Sequence, residues 1–435
     1  MANGNGNGKH SLKFLCISRV GCIGDLCIRL QEEGCKVKYY IDDKDEKEVS
    51  DGFVEKVNSW QEWKDWADVI VFDDADFGAI AENLRKEGKA VIGGTVYTDK
   101  LEMNREFGAN EMQAAGLSHL PSWHFESFDD AAKFVKDNPE RYVVKPNGTA
   151  QTEKVLSFIG QEDDGLDVLT ILEHYKRGWA SKIKSFQVQK FATGVEVAVG
   201  AFFNGKEFVG QCCINFEHKR LFNGDIGPTT GEMGTSMFWC DGGDLFKETL
   251  QKMQSRLAQA GYIGYFDINC IANARGIFPL ECTSRFGMPT LSIQMEGILS
   301  PMGEFLQELA KGGSPALRVK KGFQVGVVVA VPPFPFEDPK TFKKYCDDSI
   351  VLFKKPMKEG LWPADIKLTD GQWRLSGHTG YVMVVTGSGP TMEDARKEAY
   401  TRLKNIVIPN MFYRTDIGER WGRDGDLLRT WGYVT

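Results

Sequence analysis

Apolar runs alternate with amphipathic stretches along the first hundred residues. Four short runs have the composition of buried strands, at residues 13–17, 36–41, 68–72 and 90–92. The stretch after Gly24 that ends near Gly34, and the stretch 77–87 that closes on Gly88, have helical periodicity. Strands that alternate with helices predict a parallel α/β sheet for residues 13–115.

The pattern changes in the middle of the chain, where strands follow one another at hairpin-like spacing. The strands predicted at 186–191, 196–203 and 208–213 have this spacing; a further strand is predicted at 141–145 and a strand pair at 265–271 and 276–281. A predicted helix at 244–259 ends at Gly261. This order is typical of an α+β unit, which we place at residues 116–315, with a mobile subdomain at about 140–212.

The ends of the chain complete the predicted organisation. Strands at 324–331 and 381–386, and a helix from 392 to about 404 opened by Thr391, predict a small mixed C-terminal domain at 316–435. Residues 1–12 read as a disordered tail. A length of 435 residues exceeds what one core usually supports, so several domains are expected.

Composition excludes several classes of protein. No run approaches the roughly 20 apolar residues that cross a bilayer, and no secretory signal is visible, so we expect a cytoplasmic protein without membrane partners. The ten cysteines form no C-x-x-C pair, which argues against structural zinc. A net charge of −7 argues against general nucleic-acid binding.

Two groups of residues suggest a metal–nucleotide site. Asp267 and Glu281 lie on adjacent predicted strands, where a hairpin would bring both carboxylates to one face and suit Mg²⁺. Exposed strand carboxylates are the alternative interpretation. Gln189, Lys190 and Phe191 form a strand edge that can offer main-chain groups to adenine, and Glu196 follows to accept from ribose hydroxyls. Alone, each group is weak evidence.

Two further groups suggest phosphate binding. Lys145 ends a predicted strand before Pro-Asn-Gly, a placement that suits phosphate oxygens, and Arg105 adds a second cation; solvated surface cations are the alternative. Residues 218–234 hold four glycines and a proline, so we expect no stable helix or strand there. A long polar loop inside a compact domain is usually functional, and glycines let N–H groups approach an anion.

The four groups of residues occur along the chain in the same order as the corresponding motifs of one known protein family. Residues 218–234 resemble the H-K-R…D-G-D-T-G-P-N-T-G-G-M-G signature of the phosphoribosylamine–glycine ligase (glycinamide ribonucleotide synthetase) family, ATP-grasp enzymes of purine synthesis. Residues 280–287 resemble its E-F-N-A-R-F-G segment, and residues 145–148 stand where it has K-A-D-G. The segments 391–396 and 412–418 resemble its T-L-E-E-A-R and F-Y-R-x-D-I-G motifs, so the resemblance runs from about 13 to 421.

The resemblance implies an ATP-grasp fold, with the N-terminal α/β domain before it, and a role for each motif. ATP would contact Arg105, Lys145, Gln189, Lys190, Phe191 and Glu196. The metal, Mg²⁺ or alternatively Mn²⁺, would be held by Asp267, Glu281 and Thr283. Arg285 and Lys145 would be catalytic, with Arg285 steadying an acyl phosphate. The substrate loop would use His218, Lys219, Arg220, Asp225, Gly227, Pro228, Thr230, Gly231, Met233 and Gly234.

The differences from the family's motifs are concentrated in the region that would bind the amine substrate. When residues 18–24 are aligned with the G-x-G-G-R-E-H turn, the arginine, glutamate and histidine of that turn are absent, and residues 73–75 replace a G-P-E motif. Both lie at strand ends where an α/β sheet binds its ligand. We therefore expect a rebuilt acceptor pocket. Its predicted residues are Arg19, Gly21, Asp73 and Asp74.

The predicted protein is an ATP-dependent carboxylate–amine ligase. It would activate glycine or a similar small amino acid as an acyl phosphate and transfer it to an amine, releasing ADP and phosphate. The alternatives are an authentic phosphoribosylamine–glycine ligase and a catalytically silent nucleotide-binding homologue. Small molecules are the expected partners, and the chain would be a monomer or a homo-oligomer.

Overall fold

The computed structural model describes residues 11–147, 150, 156–336 and 338–434. Most of the expected N-terminal tail, Gly148, and the turn after it lie outside the described residues. Among the described residues, no helix has the length and apolar character needed to cross a membrane.

The N-terminal layer is the predicted parallel sheet. Its strands, in spatial order β3-β2-β1-β4-β5, are β1 (Lys13–Ser18), β2 (Lys36–Ile41), β3 (Glu55–Lys56), β4 (Val69–Phe72) and β5 (Val91–Ile92). Helices α1 (Gly24–Glu32) and α2 (Gly78–Lys86) connect them, and α3 (Val96–Met103) and α4 (Arg105–Ala114) lead out of the layer. Strand β4 is buried along its whole length, as its apolar run predicts.

A second, four-stranded sheet follows. It consists of β6 (Ser122–Phe125), β7 (Tyr142–Pro146), β8 (Phe158–Ile159) and β9 (Phe186–Lys190), in the order β6-β9-β7-β8, with helices α5 (Phe128–Asp137) and α6 (Leu166–Gly178). The expected hairpin between β9 and the next strand is wrong, because β9 pairs with β6 and β7 instead. This layer occupies residues 122–190, whereas the subdomain expected from the sequence ran from 140 to 212.

The third layer is an eight-stranded antiparallel sheet. Between residues 195 and 330 the strands are β10 (Val195–Asn204), β11 (Phe208–Glu217), β12 (Arg220–Phe222), β13 (Ile226–Thr229), β14 (Gly234–Cys240), β15 (Ile263–Asn273), β16 (Gly276–Thr283) and β17 (Phe323–Ala330). Strands β12 and β13 pair only with each other; the other six join the large sheet. The helices here are α7 (Gly243–Glu248), α8 (Leu250–Gln259), α9 (Thr290–Gly297) and α10 (Met302–Ala310).

The C-terminal region continues this sheet. Its elements are α11 (Pro339–Tyr345), β18 (Leu352–Phe353), β19 (Leu361–Pro363), β20 (Ile366–Thr369), β21 (Gln372–Leu375), β22 (Tyr381–Gly389), α12 (Met392–Leu403), β23 (Ile406–Val407) and α13 (Trp421–Thr430). The large sheet has the order β16-β15-β10-β11-β14-β17-β22-β19 and therefore crosses the boundary placed at residue 315.

The helix predicted at 244–259 is two helices. Thr249 leaves the helical conformation (φ −121°, ψ −90°), and its hydroxyl donates to the carbonyl of Leu245. A threonine that bonds back to the preceding turn competes with the helical hydrogen-bond pattern. The chain therefore breaks between α7 and α8, although the apolar periodicity continues through the break.

Two helices hold the layers together. All eight residues of α9 are buried, and α9 contacts α1 on one side and β17 and β22 on the other. At the other end of the sheet, Trp421 in α13 packs against Phe216, Phe238 and Phe323. The Tyr433 hydroxyl donates to the carbonyl of Asn273 at 2.9 Å, so the residues beyond the resemblance pack on the β15–β16 hairpin.

Candidate functional site

A cleft of about 360 Å³ lies between the four-stranded sheet and the eight-stranded sheet. Val143 and Lys145 on β7 form one wall, and β10, β15 and β16 form the other. Eleven residues singled out from the sequence line it together: Arg105, Lys145, Glu196, Lys219, Arg220, Thr230, Gly231, Asp267, Glu281, Thr283 and Arg285. The cleft therefore brings residues from all four sequence groups together.

The β15–β16 hairpin sets the positions of the carboxylates. Asp267 pairs with Thr283 and Asn269 pairs with Glu281, so all four side chains lie on one face. The amide nitrogen of Asn269 donates to Glu217 Oε2 at 2.9 Å, while its buried Oδ1 has no hydrogen-bond partner among the described residues. Burial raises the pKa of Asp267 well above its usual value, and Glu217 adds to this. Such oxygen-rich surroundings suit a hard cation.

Lys219 is the centre of a charge network. Its Nζ lies 2.9 Å from Glu196, 3.2 Å from Glu217 and 3.5 Å from Glu281. Burial opposes its charge, but Glu196, Glu217 and then Glu281 outweigh burial and hold the pKa of Lys219 well above its usual value. Lys219 thus positions the acidic side chains of the cleft.

Two further cations face this network. Burial lowers the pKa of Lys145 to about 8, and the nearby positive charge of Arg105 adds to the effect. Arg105 begins α4, where Asn104 caps the helix, and no residue that the structure describes accepts a hydrogen bond from the buried Nε of Arg105. Two poorly compensated cations in one cleft suit an anionic ligand such as a phosphate chain.

The strand edge predicted to contact adenine uses its side chains elsewhere. Gln189 Oε1 accepts from Lys145 Nζ at 2.8 Å, and Lys190 pairs with Glu140 at 2.6 Å. Phe191 stacks under the guanidinium of Arg141 at 3.6 Å. The N–H groups of Lys190 and Phe191 donate to the carbonyls of Pro121 and Arg141. An adenine base at this edge would therefore bond to main-chain carbonyls or to the N–H group of the residue after Phe191, because the N–H groups of Lys190 and Phe191 are already occupied.

The loop at 218–234 is more regular than the sequence predicts. The expectation of no strand is wrong, since β12 and β13 pair there with a register shift between Arg220 and Phe222. Its tip, including Asp225 and Gly227, is exposed, and Pro228 is half-buried. The base of the loop is buried: Met233 is inside, and a Cβ at Gly234 (φ +147°) would meet the Gly326 carbonyl at 2.6 Å. Only a glycine fits that position.

The segment 414–416 holds this loop in place. The buried guanidinium of Arg414 donates to the carbonyl of Arg220 at 2.9 Å and to Asp225 at 2.8 Å, and it pairs with Asp416 at 2.7 Å. Asp416 also accepts from the N–H of Gly224 at 2.9 Å. The two family-like motifs at 218–234 and 412–418 thus form one structural unit.

His218 lies inside the loop base rather than in the cleft. Burial lowers the pKa of His218 to about 3, and the nearby Arg420 and Arg414 contribute. The imidazole is therefore neutral at physiological pH, and in the described part of the chain its Nδ1 has no hydrogen-bond partner. His218 does not line the cleft.

A second cavity, of about 420 Å³, adjoins the cleft and reaches the N-terminal sheet. Arg285 lies between them, with Nε 2.8 Å from Glu102 and 3.3 Å from Asp74. Arg19 also lines this cavity and pairs with Asp76 at 3.0 Å. Of the predicted acceptor residues, Arg19 and Asp74 line the cavity, whereas Gly21 and Asp73 do not.

Sequence analysis missed several residues of the cleft. Glu217 ends β11 directly before the predicted residue His218, and strand alternation alone places Asn269 on the same face of β15 as Asp267. Glu232 is buried in the cleft, its Oε1 has no hydrogen-bond partner within the described ranges, and burial raises its pKa well above its usual value. The signal for Glu232 is its place in T-G-E-M-G, where the family signature has a second glycine.

Comparison with known structures defines the class of protein. The crystal structure of phosphoribosylamine–glycine ligase from Thermotoga maritima matches with a TM-score of 0.72 at 21% identity, over 93% of this chain and 100% of that one. Biotin carboxylase from Campylobacter jejuni matches with a TM-score of 0.61 at 13% identity, over 97% and 98%. The protein therefore has the ATP-grasp fold.

Sequence comparison defines the family. The model of the phosphoribosylglycinamide synthetase ATP-grasp (A) domain matches residues 103–289, and the model of its C domain matches residues 324–420. Phosphoribosylamine–glycine ligase from Streptococcus pneumoniae is 25% identical over 366 residues, which cover 80% of this chain and 82% of that protein. The chain belongs to the phosphoribosylglycinamide synthetase family and is an ATP-grasp ligase that forms carbon–nitrogen bonds.

Proposed function

We propose that this ligase activates glycine, or a similarly small amino acid, as an acyl phosphate and transfers it to an amine other than phosphoribosylamine. The observation that carries the proposal is the contrast between the two cavities. The cleft keeps the cations and carboxylates of an ATP site, whereas the edge of the N-terminal sheet presents Asp73 and Asp74 in place of the family motif.

ATP would lie in the cleft. Lys145 and Arg105 are placed to contact its phosphates, and Glu196 to contact its ribose. A divalent cation, Mg²⁺ or alternatively Mn²⁺, fits the face formed by Asp267, Glu281, Thr283 and the unpaired Oδ1 of Asn269. Among the described residues, no group of three or more His, Cys, Asp or Glu side chains could hold a metal ion by itself, so the phosphate oxygens of ATP would have to supply further ligands. When bound, this ion would neutralise phosphate charge.

The proposed ligation has two steps, formation of the acyl phosphate and transfer of the acyl group to the amine. A carboxylate oxygen of the amino acid attacks the γ-phosphorus, the bond to the β–γ bridging oxygen breaks, and ADP leaves. The acceptor nitrogen then attacks the acyl carbon, the carbon–oxygen bond to phosphate breaks, and nitrogen loses one proton. The chain supplies positioning and charge: Arg285 stands where the two cavities meet and would steady the acyl phosphate.

Glu232 offers a site for the ammonium group of the amino acid. Its unpaired carboxylate oxygen and the guanidinium of Arg285 line the same cleft. A small zwitterion requires one group of each sign, and a buried carboxylate without a partner is costly until a cation neutralises it.

An authentic phosphoribosylamine–glycine ligase is the second candidate, favoured by the relatives that match 80% of the chain. A silent nucleotide-binding homologue is the third. Against it, Lys145, Asp267 and Glu281 are all present at the cleft.

The test is ADP release with Mg²⁺-ATP and glycine, with phosphoribosylamine or other amines added. We expect turnover only when an amino acid and a suitable amine are both present, and little with phosphoribosylamine. Asp267→Asn should abolish turnover, whereas Asp244→Asn, an exposed carboxylate paired with Lys247, should not change it. Efficient turnover with phosphoribosylamine would favour the second candidate, and no ADP release with any mixture would favour the third.

A further inference from the structure

Two cysteines, which we call the thiol pair, face each other across strands β11 and β14. Cys212 lies directly opposite Cys240 in the antiparallel register, and their sulfur atoms are 3.8 Å apart. Residues opposite each other on antiparallel strands have Cα atoms about 4.5–5.5 Å apart, a separation that a disulfide bond spans. Joining the two sulfurs therefore requires side-chain rotation and no change in the register of the sheet.

The two thiols differ in their access to solvent. Cys212 is 3% exposed, whereas Cys240 is half-buried. The backbone turns at Gly242 (φ +86°), where a Cβ would meet Cys212 Sγ at 2.6 Å. Because a glycine occupies that position, the sulfur of Cys212 has room beside Cys240. A small oxidant from solvent therefore reaches Cys240 before it reaches Cys212.

The hydrogen bond between the two sulfurs makes Cys240 the more reactive thiol. Donation from Cys212 lowers the pKa of Cys240; burial opposes this effect, and the N–H group of Gly242 adds to it. The same hydrogen bond, together with burial, raises the pKa of Cys212. The thiolate is the nucleophilic form of cysteine, so a lowered pKa increases the fraction of Cys240 that reacts at neutral pH.

The other described cysteines do not combine thiol contact, exposure and a lowered pKa. Cys16 and Cys27 also lie in contact, but both are fully buried, and burial raises the pKa of Cys27. Cys35 is half-buried like Cys240, yet burial raises its pKa to about 11. Among the described cysteines whose pKa departs from its usual value, Cys240 alone has a lowered one.

We propose that the thiol pair is a peroxide-reactive site, in which the sulfur of Cys240 attacks the oxidant and Cys212 then closes a disulfide bond between β11 and β14. The substrate class is a hydroperoxide, of which hydrogen peroxide is the smallest member. Neither cysteine lines the cleft, so this inference goes beyond the proposed ligation and does not depend on it.

Oxidation of the thiol pair has two steps. The Cys240 thiolate attacks one oxygen of hydrogen peroxide, the oxygen–oxygen bond breaks, and the departing hydroxide takes up a proton to give water. The sulfur is thereby oxidised by two electrons to a sulfenic acid, and the peroxide is reduced. The sulfur of Cys212 then attacks the sulfur of Cys240, the sulfur–oxygen bond breaks, and a second water leaves with the Cys212 proton.

The disulfide bond would join the two strands that lead into and out of the loop at 218–234. Strand β11 ends at Glu217 and β14 begins at Gly234, while the thiol pair lies at the other end of the paired region. A bond between residues 212 and 240 encloses the loop in one covalent ring and restricts the unfolded chain. The oxidised protein should therefore melt at a higher temperature than the reduced protein.

The experiment maps the thiols of the unmodified full-length chain after oxidation. The reduced protein is freed of reductant, exposed to hydrogen peroxide, alkylated with N-ethylmaleimide in denaturant, digested and analysed by mass spectrometry. We expect a linked peptide pair that joins Cys212 to Cys240, with Cys213 on the same peptide alkylated, and we expect dithiothreitol to reverse the link. Oxidation of Cys35 at an equal or greater rate, or no linked pair, would overturn the inference.

Variants assign the roles of the two sulfurs. Cys212→Ala should slow the reaction of Cys240 and stop it at the sulfenic acid, which dimedone traps, whereas Cys240→Ser should leave Cys212 unreacted. Dimedone labelling of Cys212 in Cys240→Ser as fast as the unmodified protein oxidises would overturn the assignment. The matched control is Cys35→Ser, which removes a thiol of similar exposure and should leave the link unchanged.

Thermal melting tests whether the disulfide bond fits the native sheet. Peroxide treatment should raise the melting temperature of the unmodified protein by at least about 2 °C and should leave that of Cys240→Ser unchanged. A lower melting temperature in the cross-linked protein would show that the bond distorts the pairing of β11 and β14, and would overturn the inference.

Discussion

The protonation state of Lys145 depends on its surroundings in the cleft. Burial and Arg105 lower its pKa to about 8, so the free protein loses this charge as the pH rises through 8. A bound phosphate chain favours the charged form and raises the pKa. The dissociation constant of ADP should therefore increase above pH 8, approaching about tenfold per pH unit. Calorimetric titration of ADP between pH 7 and 10 measures this.

Lys145→Arg is the matched control, because arginine stays charged over this range. Its ADP affinity should be nearly independent of pH. The same pH profile in both proteins would show that another group is responsible.

Asp73 should lower the stability of the protein at neutral and alkaline pH. Its pKa rises from 3.8 to about 7 on folding, so folding takes up a proton between these values. Its contribution to stability is present below pH 4 and is lost as the pH rises to 7. Asp73→Asn should therefore gain on the order of 2–4 kcal/mol relative to the unmodified protein between pH 4 and pH 8.

Chemical denaturation of both proteins at the two pH values checks this. Neighbouring groups are the same in both: Asp74, Ser18 and Arg285 all act on residue 73. A stability difference that does not change with pH would mean that Asp73 is ionised in the folded protein.

Glu232 should matter for the amino acid and not for the nucleotide. Glu232→Gln keeps the size of the side chain but removes the charge, so KM for glycine should rise at least tenfold while KM for ATP changes little. Steady-state kinetics with each substrate varied separately give both values. A parallel rise in the KM for ATP would place Glu232 at the metal or phosphate instead.

At the scale of residues, sequence patterns identified which charged residues lie in the cleft, but not which side chains bond to one another. Lys145, Asp267 and Glu281 all lie in the cleft as their motifs predict. The side chains of Gln189 and Lys190 do not follow from the pattern, since they bond to Lys145 and Glu140 on other strands. Such partners depend on which strands meet in space.

The β12–β13 hairpin depends on a contact from far along the chain. Arg414 is 1% exposed and carries the bonds to Arg220, Asp225 and Asp416. Arg414→Met should lower the free energy of unfolding by about 3 kcal/mol, because Asp416 then stays half-buried without its cation. It should also lower ligase activity, since the loop would lose its anchor.

Urea denaturation and ADP release measure the two effects. Arg429→Met is the control: Arg429 is exposed, pairs with Asp426 three residues earlier and lies over the Trp421 ring, so the change should cost less than about 1 kcal/mol. An Arg414→Met protein that is as stable as the control would show that the β12–β13 hairpin is stable without Arg414.

At the scale of elements, apolar runs predicted strands but not their partners. Strand β2 has the predicted bounds, and α12 begins after Thr391 as expected. Strand β9 has a sequence similar in character to β10, yet it belongs to another sheet. Periodicity describes which face of a strand is buried, and it contains no information about which strand lies beside it.

The packing of the layers in the whole molecule depends on α9, a helix that the sequence did not predict. Its eight residues are buried between the N-terminal layer and the eight-stranded sheet, and the cleft lies at its N-terminal end, where Gly287, Met288 and Thr290 line it. A helix buried on every side has no amphipathic pattern. Its position brings the N-terminal sheet next to the cleft, and Arg285 lines the cavities on both sides.

The most direct test of the proposed chemistry follows oxygen from the amino acid to phosphate. Glycine with ¹⁸O in its carboxylate is incubated with the protein and Mg²⁺-ATP, with hydroxylamine as a general acceptor amine, and the released phosphate is analysed by mass spectrometry. An acyl phosphate predicts one ¹⁸O atom in each phosphate formed and glycine hydroxamate as the product. Turnover that yields unlabelled phosphate would contradict the proposed activation of the carboxylate.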